Sequence, residues 1–168
     1  MTSKEDKEIQ QSLKKKIPLN EAITIAEELK TYFLNHANKV EIVGSIRRKK
    51  EFVNDIDFVV IAKPFFVNSL FNLNIKMRKL GKKLLEFTYK DVQVDVYFAN
   101  EENFEVIKLI RTGSANHNIK LCSLAKNKGM HLFADGQGLY KNFDKVSDTE
   151  EGILKELLGE YIEPEMRE

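Results

Sequence analysis

Asp55-Ile56-Asp57-Phe58-Val59-Val60-Ile61 sets two carboxylates one residue apart at the head of an apolar run. Side chains alternate faces along a strand, so Asp55 and Asp57 share one face while Ile56, Phe58 and Val60 point into a core. Two like charges this close repel unless a cation or a proton lies between them. Downstream, Val92-Gln93-Val94-Asp95-Val96-Tyr97-Phe98 reads as a second strand, with Asp95 on the face opposite Val94 and Val96. Laid beside the first, it completes a three-carboxylate cluster. Hard oxygen ligands of this kind suit magnesium or manganese rather than zinc. Two ions held there could activate a hydroxyl and stabilise a leaving pyrophosphate.

For Asp-x-Asp alone, a solvated sheet face is an equally good explanation. The residues just upstream shift the balance. Val40 to Val43 reads as a short strand running into Gly44-Ser45, with Arg47-Arg48 following at once. Glycine lets the backbone approach a phosphate, serine offers a hydroxyl, and backbone amides at a helix start favour anions. One of the arginines can fork onto phosphate oxygens.

Working outward, Leu19 to Phe33 carries apolar residues at helical spacing (Ala22, Ile25, Ala26, Leu29, Phe33) behind Pro18. Asp55 to Ala62 is a strand ended by Pro64. The next stretch predicts a helix between Val67 and Leu80, stopped by Gly81. Leu84 to Tyr89 pairs with Val92 to Phe98 around Lys90-Asp91. Helices are expected over Phe104–Ile110 and Asn116–Lys128, broken at Thr112-Gly113-Ser114. His131–Ala134 and Leu139-Tyr140 form a small pair, and Ser147 with Glu150 suggests a capping box before a helix that reaches Leu158. The expected fold class is α+β: a mixed or antiparallel sheet flanked by helices, followed by a small α+β lobe.

At 168 residues the chain can bury a real core. No apolar run is long enough to cross a bilayer, and the polar start after Met1 is no signal peptide. The single cysteine, Cys122, excludes an internal disulfide and a Cys-rich zinc site, so a reducing, cytoplasmic setting is expected. The net charge of +1 hides an asymmetry: from Asp144 onward there are nine acids against three bases. Bases gather at Arg47-Arg48-Lys49-Lys50 and at Lys76, Arg78, Lys79, Lys82 and Lys83, and the stretch from Val106 to Met130 has five bases and no acid. Such stretches suit a polyanion partner.

Gly44-Ser45-Ile46-Arg47-Arg48 followed by Asn54-Asp55-Ile56-Asp57 resembles the signature of the polymerase-beta-type nucleotidyltransferases. Lys16-Ile17-Pro18, Thr112-Gly113-Ser114-Ala115-Asn116-His117-Asn118, Gly138-Leu139-Tyr140 and Tyr161 to Glu168 narrow the resemblance to family X DNA polymerases, in a minimal palm-plus-lobe form. It covers nearly the whole chain from Lys16.

The resemblance implies a flexible segment over 1–15, a catalytic palm over 16–103 and a nucleotide- and DNA-binding, thumb-like lobe over 104–168. It implies a template-directed, short-gap-filling DNA polymerase using two magnesium ions, with manganese able to substitute. In that reading Asp55 and Asp57 bind both ions, and Asp95 binds the catalytic one. Gly44, Ser45 and Arg48 hold the triphosphate of a deoxynucleotide, Thr112, Gly113 and Ser114 form the turn against the sugar, and Asn118 meets the base. His117 either approaches the nucleotide or is structural. The expected partners are DNA and deoxynucleoside triphosphates, with no membrane, and the chain is expected to be a monomer.

The chain also departs from the pattern. Ile110-Arg111 stands where polymerase-beta-like enzymes have Tyr-Phe, Cys122 replaces an arginine, and Leu19 replaces another. A lyase domain and DNA clamps of larger members have no room here, so deoxyribose-phosphate removal is not expected. The alternatives are a nucleotidyltransferase acting on RNA, a protein or a small molecule, and a non-catalytic DNA-binding module that kept the fold.

Overall fold

The structure, a computed structural model, describes residues 15–168. The flexible segment expected over 1–15 lies, apart from Lys15, outside the described residues. Helix α1 (Leu19–Phe33) buries the five residues its periodicity selects, Ala22, Ile25, Ala26, Leu29 and Phe33. Just ahead of it, β1 (Ile17–Pro18) pairs with β3 (Phe52–Val53), and Leu19 N–H donates to the Glu51 carbonyl at 2.9 Å, anchoring the helix start.

A five-stranded sheet carries the order β2-β4-β7-β6-β5. Its members are β2 (Ala37–Val43), β4 (Asp55–Ala62), β5 (Ile75–Leu80), β6 (Leu84–Tyr89) and β7 (Val92–Phe98). Only the β4–β7 pair is parallel. One face of the sheet meets α1 in a core of Ile56, Phe58, Val60, Leu85, Phe87, Val94 and Val96. There Phe33 stacks edge-on against Phe58 and Phe66 at 5.0 and 5.2 Å. Truncating Phe33 to alanine in so packed a site would cost about 3–5 kcal/mol.

The helix expected between Val67 and Leu80 is corrected by the structure. A one-turn helix α3 (Phe66–Ser69) and a 3-10 turn (Leu70–Asn72) are all that forms, and Ile75–Leu80 is instead the edge strand β5. Lysine, methionine and arginine favour helices in isolation. Pairing with β6 overrides that preference, because Ile75 and Met77 alternate with outward Lys76 and Arg78 and oppose Tyr89 and Phe87.

The second half builds a lobe on α4 (Phe104–Thr112), α5 (Ala115–Asn127) and α6 (Glu150–Leu158). A three-stranded antiparallel sheet completes it, with β8 (His131–Phe133), β9 (Gly138–Lys141) and the unanticipated β10 (Asp144–Ser147). Its core is Val106, Leu109, Leu121, Leu132, Leu139, Ile153, Leu154 and Leu157. The Ser147–Glu150 capping box does not form. Thr149 is the cap, its hydroxyl accepting from Gly152 N–H at 3.1 Å, because Glu150 is drawn inward by arginines. Helix α4 lies across the other face of the large sheet, where Phe104 packs on Val43, Val59 and Ile61. That joint leaves the Asp55 end of the same face open between the two halves.

Candidate active site

Strand register assembles the site. Asp57 on β4 lies directly beside Asp95 on β7, as Asp55 lies beside Gln93. On the other side β2 runs antiparallel with Val43 opposite Asp57, so the turn that follows is delivered next to that carboxylate. The turn is α2 (Gly44–Arg47), and Gly44 has φ +65°. A Cβ on Gly44 would sit 2.1 Å from Asp57 Oδ2, so only glycine lets the backbone come this close.

A cleft of about 520 Å³ opens here. Asp55, Asp57 and Tyr97 form its floor, Gly44, Ser45, Arg48 and Lys50 one wall, and Ile110, Arg111, Gly113 and Asn118 the other. Seven of the residues singled out from sequence therefore meet in one place. Asp95 stands just behind the floor, 8 % exposed, with Oδ1 accepting from Gln93 Nε2 at 2.9 Å. Thr112 and Ser114 do not line the cleft. Thr112 is buried and binds through its hydroxyl to Arg47 Nη1 and the Lys108 carbonyl, while Ser114 caps α5 by accepting from His117 N–H. The His117 ring is buried away from the cleft with no partner at either nitrogen.

The electrostatics describe a site short of positive charge. Burial, then the charges of Asp55 and Asp95, push the Asp57 carboxyl up to about 8, against the opposing pull of Arg111 and Arg48. Burial and the same carboxylates push the Tyr97 phenol up to about 12. Among the described residues no group of three or more His, Cys, Asp or Glu side chains stands already arranged around a metal position. The repulsion is nonetheless what a divalent cation would relieve, and the donors are oxygens, the set that magnesium takes. By this test the residues fit a divalent ion.

The structure also separates the two arginines. Arg48 faces the cleft, its Nη1 donating to the Thr112 carbonyl at 2.5 Å and its buried Nε unpartnered. Arg47 turns away and grips Glu150 with both Nη atoms, at 2.6 and 2.8 Å. Arg167, fully buried near the chain end, donates to the same carboxylate at 2.6 Å and to the Ile162 carbonyl. Nothing in the sequence pattern marks this network, since its members lie far apart along the chain. Gln93 and the Arg111–Tyr97 stack, 4.1 Å from guanidinium carbon to ring centre, were equally hidden.

Residues 108–168 match the family model described as DNA polymerase beta thumb. The chain is 28 % identical over 173 residues to the DNA polymerase/3'-5' exonuclease PolX of Bacillus subtilis, covering 91 % of this chain and 29 % of that protein. It is 28 % identical over 145 residues to the repair DNA polymerase X of African swine fever virus, covering 78 % of this chain and 82 % of the viral one. The chain is thus similar to DNA polymerases named X over most of its length. It spans under a third of the Bacillus protein but most of the viral one. The fold is found again in Leishmania infantum polymerase beta, solved as a ternary P/T complex, with a TM-score of 0.76, 21 % identity, and coverage of 92 % of this chain and 77 % of that one. Among the described residues no helix is long and apolar enough to cross a membrane.

Proposed function

We propose that this chain is a template-directed DNA polymerase that adds deoxynucleotides to a primer 3'-hydroxyl, filling short gaps in repair. The single observation that carries the reading is the register that sets Asp57 beside Asp95 with the Gly44-Ser45 turn against the same carboxylate. The names of the viral and bacterial relatives support the choice of substrate.

Asp55 and Asp57 would hold two magnesium ions, or manganese in their place, with Asp95 the further ligand on the primer side. Bound there, the ions supply the charge that favours an ionised 3'-hydroxyl and a departing pyrophosphate. Ser45, the Gly44 backbone and Arg48, all lining the cleft, hold the triphosphate. Gly113 and Asn118 line the wall on which the nucleoside lies. Asn118 is anchored there by its Nδ2–H donating to the Ile110 carbonyl at 2.8 Å, which leaves its buried Oδ1 to accept. Thr112 and Ser114 shape that wall through the turn. In this reading residues 16–103 form the catalytic unit and 104–168 the nucleotide- and DNA-binding lobe, acting as a monomer.

The test is incorporation on a one-nucleotide gap, with each deoxynucleotide and ribonucleotide offered in turn with magnesium. Template-matched deoxynucleotide addition supports the reading. Untemplated addition, or transfer only to RNA, a protein or a small molecule, refutes it.

A further inference from the structure

The cations of β5 have no role in the site just described. Lys76, Arg78 and Lys79 are exposed on this edge strand, and Lys82 and Lys83 are exposed on the turn that follows. Among the described residues none of the five forms an ion pair. Their position relative to the carboxylates follows from register. One row crosses the open face of the sheet as Asp57, Asp95, Glu86 and Lys79, and the next as Asp55, Gln93, Thr88 and Lys76. A third runs through Val59, Tyr97 and Leu84 to the Lys82-Lys83 turn. Every row that passes the carboxylate end of the face thus ends on a cation.

Strands lie about 4.8 Å apart, which puts the basic edge roughly 14 Å from Asp57. Rows two residues apart are separated by about 7 Å, so the edge is about 14 Å long. One strand of a B-form duplex presents a phosphate about every 3.4 Å of axis, so a duplex that leaves Asp57 across the sheet meets this edge about four nucleotides back. We propose that this edge, Lys76, Arg78 and Lys79 with Lys82 and Lys83, is the surface that holds the backbone of duplex DNA about four nucleotides behind the primer terminus. The proposal rests on the polymerase reading above, since it takes the carboxylate row as the place of that terminus. Lysines on an edge strand also deter sheet-to-sheet association, and an anionic lipid surface is the other polyanion five cations could meet.

The test is equilibrium binding of a fluorescent gapped duplex across a salt series without divalent metal, for wild type and Lys76→Gln/Arg78→Gln/Lys79→Gln. A control, Lys30→Gln/Lys63→Gln, removes two cations away from this edge. The triple variant should lower the slope of log K against log salt by about 2–3 and weaken binding at least about tenfold near 0.1 M salt. The control should match wild type, and turnover at saturating DNA should stay within about twofold. An unchanged slope overturns the proposal, as does a triple variant that only self-associates, or wild-type binding to phosphatidylserine vesicles as tight as to DNA. A changed slope in a chain that adds no nucleotide sinks the polymerase reading and leaves this surface standing. Nucleotide addition with an unchanged slope does the reverse.

Discussion

Arg47 holds Glu150 through two parallel hydrogen bonds, 2.6 and 2.8 Å long, across the joint between the sheet and the second lobe. Glu150 is 3 % exposed, and Arg167 and Lys108 close on it from the other side at 2.6 and 3.5 Å. Because Arg47 sits in the same short turn as Gly44 and Ser45, the network fixes the lobe against the turn that meets Asp57. Glu150→Gln would leave two arginines buried around a neutral amide. Breaking a buried pair in this way costs about 3–5 kcal/mol, to be read from urea unfolding. The surface pair Lys49–Glu165 is the comparison: Glu165→Gln should leave the urea midpoint unchanged.

Acid should loosen the same lobe in two steps. His117 is held down at about 4, from 6.5, by burial and by the charges of Arg167, Lys120 and Arg48. Between those values the unfolded chain binds a proton that the folded one refuses, so stability falls as pH drops through that window. The effect is on the order of 3 kcal/mol. Burial would raise Glu150, but hydrogen bonds and charge from Arg47 and Arg167 outweigh it and hold the group at about 2, from 4.5. Its contribution is therefore complete above about 4.5 and is lost as pH falls toward 2. In urea titrations between about pH 5 and 6.5, His117→Phe should flatten the wild-type slope. A slope equal to wild type would show that another group titrates there.

Gly44→Ala places a methyl 2.1 Å from the Asp57 carboxylate, at a φ that alanine adopts at a cost. The turn or the aspartate must move. Shifts of this size at a positioned site cost about a hundredfold in rate. Single-turnover nucleotide addition should fall by that order while the circular dichroism spectrum is retained.

Gln93 donates to Asp95 at 2.9 Å and so orients a carboxylate that the proposed chemistry needs. Gln93→Ala should cost about 10–100-fold in activity or in metal affinity, as loss of a partner behind a metal ligand does. A magnesium titration of the single-turnover rate separates the two: a raised half-saturating concentration reports loosened ligation. Gln93→Glu, which adds a further negative charge beside Asp95, should be the worse variant.

The sheet strands that carry chemistry were legible because their signal is local. Alternation in Asp55–Ala62 and Val92–Phe98 fixes which side chains share a face, and both strands form as read. Gly44-Ser45 and Gly113 were legible through their motifs. Ile75–Leu80 was misread because its residues favour helices singly, and only its partner strand reveals it as an edge. The Arg47–Glu150–Arg167 network was invisible for a different reason. Its residues are separated by 103 and 17 positions, and no spacing rule links groups brought together by a fold. Thr112 and Ser114 were located correctly in the turn, but their hydroxyls are occupied by that turn's own hydrogen bonds.

The proposed metal site of Asp55, Asp57 and Asp95 depends on the charge of all three carboxylates. Asp95 is the residue to change, since Asp95→Asn keeps the shape of a nearly buried side chain and removes only its charge. The measurement is magnesium-dependent addition of the matched deoxynucleotide to a one-nucleotide gap, wild type beside Asp95→Asn, with urea unfolding as the control for folding. Wild type should add the nucleotide, and the variant should add none detectable at equal stability. Extension by Asp95→Asn at the wild-type rate would show that this carboxylate does not take part in the chemistry.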